Sequence, residues 1–174
     1  MTTIQSLTNA GLLIRTGKTA VLVDPFCSIR HPLWRNTPDG LWQAVIQGQP
    51  PFGGLNLLAV THVHSDHFNL EWTASLIRQN PGLITIAPPP VIRQLEKALP
   101  REYEGRLVTA APKCHAQERF SLCGLELTAW GTVHDGPEIY QTEHVSYFIK
   151  GEHAILVAGD AKSAEANYRP MELR

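Results

Sequence analysis

The chain has 174 residues, 43% hydrophobic and 18% charged, a balance that suits one globular domain spanning 1–174 and able to bury a core without disulfides. A net charge of −1 argues against general nucleic-acid binding or attraction to an anionic membrane, and no apolar run is long enough to span a bilayer. Cys27, Cys114 and Cys123 are odd in number and lack C-x-x-C spacing, which argues against a thiolate zinc site. With a start, Met1–Gln5, that lacks the features of a signal peptide, this makes a cytoplasmic location the expectation.

Three short β-like runs open the chain, Ile4–Leu7, Leu12–Thr16 and Ala20–Val23, with Asn9, Gly11, Gly17 and Lys18 in the turns of a meander. Residues 26–54 then form an irregular insertion rich in Pro, Gly and Trp, with one short helix expected near Leu41–Gln47. Such a stretch serves either as a lid or binding loop, or as a surface excursion tied down by Trp34, Trp42 and Phe52. Leu55–Val60 reads as a buried strand. Asn69 is placed to cap a helix over Leu70–Gln79, whose Leu70, Ala74 and Ile77 recur at helical spacing. Leu83–Ala87 reads as a strand, and Pro88–Leu99 as a helix with proline in its first turn. Further strands are expected at Leu107–Ala110, Arg119–Leu122, Leu125–Thr132, Val145–Lys150 and Ala154–Ala158. Strands interleaved with helices give an α/β or α+β class with a mixed sheet.

The strongest chemical signal follows the strand Leu55–Val60: Thr61-His62-Val63-His64-Ser65-Asp66-His67. Neutral imidazole and carboxylate bind zinc, iron and manganese. His62 and His64, two apart, point to the same side in extended backbone and can converge on one ion. Asp66 and His67 lie further round the loop, which favours two neighbouring metal positions. Two more ligands are expected from His134 and Asp160, each just past a strand end, where α/β proteins place ligands. Asp160 has two oxygens and can bridge. His144, ahead of Val145–Lys150, is the rival to His134, or else a support for the ligands or a substrate contact. Asp24 is expected to hydrogen-bond the loop rather than bind metal. Arg30 and Arg35 are candidates for an anionic substrate, against the simpler reading of solvated charge. His31, His115 and His153 read as surface residues, and Cys27 as a small buried one. No phosphate-binding Gly-rich loop and no Ser-His-Asp motif is present.

Thr61 to His67 resembles the T-H-x-H-x-D-H motif of the metallo-β-lactamase superfamily. Asp24, closing Val21-Leu22-Val23-Asp24-Pro25, resembles the family's early structural aspartate, His134 its third ligand motif and Asp160 its bridging aspartate. The Asp-Pro ending and the His134-Asp135-Gly136-Pro137 stretch are most similar to the branch that includes ascorbate-phosphate lactonases. The resemblance implies an αββα sandwich with metals at one edge. His62, His64 and His134 would hold a first ion, Asp66 and His67 a second, and Asp160 would bridge. The implied cofactor is zinc, one ion or two, with iron and manganese also admitted. The implied activity is attack by a metal-bound hydroxide on an ester, lactone, amide or phosphoester of a small molecule, with Asp66 as the catalytic residue that orients the hydroxide and shuttles its proton.

The family supplies one more histidine beyond the bridging aspartate, whereas residues 161–174 contain none. The family's last strands and helix are also absent, so the second half of the sandwich is expected to be incomplete. Two further readings therefore stay open: a non-catalytic metal-binding or interaction remnant of the fold, and a subunit completed by a partner chain, such as a second copy in a homo-oligomer covering the sheet edge.

Overall fold

The computed structural model describes residues 1–29 and 35–168; Arg30, His31 and Trp34 lie outside the described residues. The meander is present as β1 (Thr3–Ser6), β2 (Leu12–Thr16) and β3 (Thr19–Val23), paired antiparallel. From β3 the sheet continues in parallel through β4 (Leu57–Ala59), β5 (Ile84–Ala87) and β6 (Leu107–Thr109). Parallel neighbours need crossovers, and helices α1 (Asp39–Ile46), α2 (Leu70–Gln79) and α3 (Pro89–Ala98) supply them. The Asn69 side chain accepts the Trp72 N–H at 3.0 Å, which fixes where α2 begins. Pro89 and Pro90 fall in the first turn of α3, where no amide donor is missed.

A second, antiparallel sheet is formed by β7 (Gln117–Leu122), β8 (Leu125–Thr132), β9 (His144–Lys150) and β10 (Ala154–Val157), in the order β10-β9-β8-β7. Alternation along β3 and β4 divides the interior into two cores. Ala20, Leu22 and Leu58 face the helices and pack with Leu76, Ile77 and Leu95. Val21, Val23, Leu57 and Ala59 face the second sheet and pack with Leu127, Ala129, Tyr147 and Ile149. Covered on both sides, these strands read in sequence as unbroken apolar runs. Among the described residues only the four-residue helix α4 (Glu165–Tyr168) follows the second sheet. The layers are therefore helix, sheet, sheet, an incomplete form of the expected αββα sandwich.

In the insertion, Trp42 stacks on Trp72 at 5.0 Å and Phe26 meets the same ring edge-on, while Phe52 is buried. Arg15 donates to the carbonyls of Pro51 and Gly53. Arg35, His115 and His153 are exposed and Cys27 is buried. Three elements have no counterpart among the sequence expectations: α4, a 3-10 turn over Glu138–Tyr140 and, the longest of them, a 3-10 turn over Arg101–Arg106. It is held by Arg106, which donates to the carbonyls of Ile77, Asn80 and Pro81 and lies 4.6 Å above the Tyr103 ring. Among the described residues no helix is long and apolar enough to cross a membrane.

Candidate metal centre

Three loops meet at one edge of the sandwich, and backbone bonds zip them together. Thr61, just past β4, accepts the N–H of Val145 in β9 through its carbonyl at 2.9 Å. Asp135, just past β8, donates its N–H to the Asp160 carbonyl at 2.8 Å. Lys162 donates to Val133, whose N–H and C=O are both bonded by the side chain of Asn167. Asn9, in the turn after β1, donates to the Asp66 carbonyl at 3.0 Å. His62, His64 and His67 are thus carried by the first sheet, and His134 and Asp160 by the second.

All six residues expected as ligands are gathered here. Candidate ligand atoms of His62, His64 and His134 lie within 4.8 Å of one another, as do those of His62, His67 and Asp160. Asp160 divides its oxygens: Oδ1 is 3.2 Å from Nε2 of His67, while Oδ2 is 3.8 Å from Nε2 of His134 and 4.0 Å from Nε2 of His62. That is the disposition of a carboxylate between two positions. Asp66 is less central, with Oδ2 3.7 Å from Nε2 of His67, so the compact second set is formed with His62 and Asp160.

Tautomers follow from the bonds at Nδ1. The Thr61 hydroxyl donates to Asp24 at 2.7 Å, so it accepts from Nδ1 of His62 at 3.0 Å. Nδ1 of His67 bonds the other partner of that hydroxyl, Asp24 Oδ2, at 2.9 Å. Nδ1 of His134 bonds the Asp135 carbonyl. Each of these rings therefore turns Nε2 inward. The His62 and His134 Nε2 atoms stand 3.3 Å apart, and with both rings singly protonated at Nδ1 two lone pairs face each other. Two acceptors held face to face repel each other unless a cation lies between them. The spacing is also about the edge of a tetrahedron with metal–nitrogen distances of about 2.0–2.1 Å. The donor set fits a divalent metal ion.

Electrostatics agree. Burial, reinforced by the neighbouring imidazoles, holds His62 far below the ordinary histidine range, so it is a neutral imidazole at pH 7. His64 is lowered by burial and His134. His67 is opposite: burial opposes its charge, but bonds to Asp160 and Asp24 prevail and raise it to about 10. The His67 contact holds Asp160 below the usual carboxylate range despite burial. Asp24, as expected, supports the loop: it accepts from the Thr61 N–H, the Thr61 hydroxyl and His67.

His144 is buried, its ring centroid 5.1 Å from that of His62, but its Nε2 accepts the Asp160 N–H at 3.0 Å. Burial lowers it to about 3, a neutral imidazole. The sequence reading missed Thr132, whose hydroxyl meets Nδ1 of His144 at 2.7 Å, and Tyr147, whose buried phenol donates to the Val60 carbonyl at 3.0 Å. A polar residue on an alternating strand carries no mark separating this role from solvent exposure. An open cleft of about 470 Å³, bordered by Ile29, His64, Ser65, Asp66, Tyr140 and Asp160, gives access to the cluster.

Comparison with known proteins bears on the same features. No curated protein gives a match. A diiron β-hydroxylase, CmlA from Streptomyces venezuelae, superposes with a TM-score of 0.65 at 19% identity, over 99% of this chain and 32% of its own. An isothiocyanate hydrolase from Delia radicum gut bacteria gives 0.62 at 14% identity, over 98% of this chain and 66% of its own. Igni18, a metallo hydrolase from Ignicoccus hospitalis, gives 0.61 at 15% identity, over 94% of this chain and 63% of its own. At such identities the likeness is one of fold, and this chain spans 32–66% of these relatives' own length. The family model described as the beta-lactamase superfamily domain matches residues 19–173. Matched over nearly its whole length and folded in these layers, the chain belongs to the beta-lactamase superfamily.

Proposed function

We propose that this chain carries the metal centre of a hydrolase acting on an ester, lactone, amide or phosphoester of a small molecule. The observation that carries the reading is the pair of opposed Nε2 atoms of His62 and His134, 3.3 Å apart with both Nδ1 atoms engaged elsewhere. His62, His64 and His134 would hold one divalent ion, and His67 and Asp160, with Asp66 beside them, a second. A bound ion would supply Lewis acidity, lowering the pKa of water to about 7 and polarising the oxygen of the scissile group.

The chain's own residues do the rest. Asp66 borders the cleft, where its carboxylate orients the attacking water and takes its proton. Asp24 and Thr61 hold the His67 and His62 rings with Nε2 inward. Ile29 and Tyr140 border the same cleft and offer apolar contact to the part of a substrate that does not react. Zinc suits nitrogen and oxygen donors, and so do iron and manganese; the diiron relative keeps iron among the candidates.

The test is elemental analysis of the purified protein together with turnover of generic ester and phosphodiester substrates. The expected result is one or two equivalents of a transition metal, with metal and turnover both lost in His64→Ala. A metal-loaded protein inert across a broad panel would favour a non-catalytic binding role instead.

A further inference from the structure

Around the turn at residues 158–160 the hydrogen bonds run in one direction and close on themselves. The Ser146 hydroxyl donates to the Ala158 carbonyl at 2.8 Å. Its oxygen is then the acceptor for the Thr132 hydroxyl at 3.1 Å. The Thr132 oxygen, its proton committed, accepts from Nδ1 of His144 at 2.7 Å. That leaves Nε2 of His144 with a lone pair, and it receives the Asp160 N–H at 3.0 Å. Every donor is used once, and the ring starts and ends on the same three-residue turn. Each proton position follows from the next. Thr132, His144 and Ser146 are all buried, which strengthens the bonds of the ring.

The turn is pressed against the ring. Gly159 has φ +58, and a Cβ there would lie 2.7 Å from Nε2 of His144 and 2.9 Å from Cβ of Thr61. Only glycine fits, both for its backbone angle and for the space. The imidazole that seats the turn also starts β9, whose next residue, Val145, is bonded to the Thr61 carbonyl. The carboxylate at the end of the turn is the one that stands between His67 and His134.

We propose that His144 is a positioning residue for Asp160: as the Nδ1–H tautomer it closes a one-way ring through Thr132, Ser146 and Ala158 that fixes the Asp160 carboxylate, and so sets its hold on a cation without ligating one. The consequence for cations rests on the metal-centre reading; the ring itself does not. Phenylalanine at this position keeps the ring shape and removes both bonds. Glutamine restores an acceptor for the Asp160 N–H.

The experiment has two arms. In metal-free, 15N-labelled protein, long-range proton–nitrogen spectra report the His144 tautomer, and hydrogen exchange reports the Asp160 amide. The expected result is Nδ1–H and a protected amide; an Nε2–H tautomer, or an amide that exchanges freely, overturns the proposal. In the second arm zinc is titrated against a competing chelator. His144→Phe is expected to weaken the Asp160-dependent ion about 10–100-fold, and His144→Gln to recover most of the loss. Wild-type affinity in His144→Phe, or no recovery in His144→Gln, overturns it as well. Should wild-type protein take up no zinc, the metal-centre reading falls, and the first arm still decides the ring. If His144→Phe does not fold, Thr132→Val breaks the ring at another bond. It is expected to speed exchange at Asp160 and weaken zinc binding, and no change in either refutes the proposal.

Discussion

The Asp24 carboxylate receives Nδ1 of His67 at 2.9 Å across 43 residues of chain, and both side chains are buried. The same Asp24 oxygen accepts the Thr61 hydroxyl, so it fixes the two imidazoles of His62 and His67 at once. In Asp24→Asn an amide nitrogen takes the place of an acceptor for two donors. The expected outcome is metal affinity about 10–100-fold weaker, with the fold retained by circular dichroism. Chelator competition measures it, and unchanged affinity would show that ring orientation does not depend on this carboxylate.

Stability of the metal-free protein should peak near neutral pH, and each limb has its own cause. His62 and His144 stay neutral when folded, His144 down to about 3. Below about pH 6.5 the unfolded chain takes up protons at these positions that the folded chain does not, so stability falls as pH falls. The slope is at most about 1.4 kcal/mol per pH unit for each buried group. His67 has the opposite sign: its folded pKa is raised to about 10. The unfolded chain gives up that proton above about pH 6.5 while the folded chain keeps it, so stability falls as pH rises, by up to about 1.4 kcal/mol per unit. Urea unfolding of chelator-treated protein at several pH values tests this; a plateau or a rise on the alkaline side contradicts the His67 assignment.

Metal uptake near pH 7.5 should release a proton from His67, because its Nε2 must give up hydrogen to bind an ion. His62 and His64, already shifted toward the neutral form, contribute little to the release. Calorimetric titration with zinc in two buffers of different ionisation enthalpy should therefore give different apparent heats for the second ion, and similar heats for the first. Heats independent of buffer for both ions would mean that His67 is neutral before metal arrives.

Much of this molecule is legible in the chain, for reasons particular to each element. Leu12–Thr16, Leu70–Gln79 and Leu125–Thr132 have their observed bounds in the sequence pattern, because turn residues or a capping Asn69 stand at their ends. The site follows from strand exits: His62, His134 and Asp160 each lie just beyond a strand, and the sheets bring those ends to one edge. Pairing order and the division into two sheets are non-local and are not written in any short window; the family motif supplied them. The Arg101–Arg106 turn has no apolar period and exists through Arg106 contacts made across more than twenty residues. The roles of Thr132 and Ser146 are invisible for the same reason: their partners, His144 and Ala158, lie twelve residues away.

Tyr147 ties the second sheet to the strand that carries the cluster, donating its buried hydroxyl to the Val60 carbonyl at 3.0 Å, one residue before Thr61. Tyr147→Phe keeps the ring in the inter-sheet core and removes the bond to Val60 with the longer one, 3.4 Å, to the Ile86 carbonyl. The expected loss is about 1–2 kcal/mol of unfolding free energy, with metal stoichiometry unchanged. If equilibrium unfolding gives a loss below a few tenths of a kcal/mol, other contacts, the Val145–Thr61 backbone bond among them, hold the sheets at this end without it.

Asp66 separates a reacting role from a supporting one. Its backbone carbonyl is already bound by Asn9, and among the described residues its side chain approaches Nε2 of His67 at 3.7 Å and acts on the charge of His64 without a hydrogen bond to either. Yet the residue borders the cleft, next to Ser65 and His64. Under the proposed hydrolase reading, this carboxylate takes the proton from water. Asp66→Asn keeps the shape and removes the basicity. For a proton-accepting group the expected loss in kcat is about 10²–10⁴-fold, with KM within a few-fold and the ion at His62, His64 and His134 retained by elemental analysis. A loss carried by metal content instead, with kcat per bound metal unchanged, would make Asp66 a ligand and leave the proton to another group.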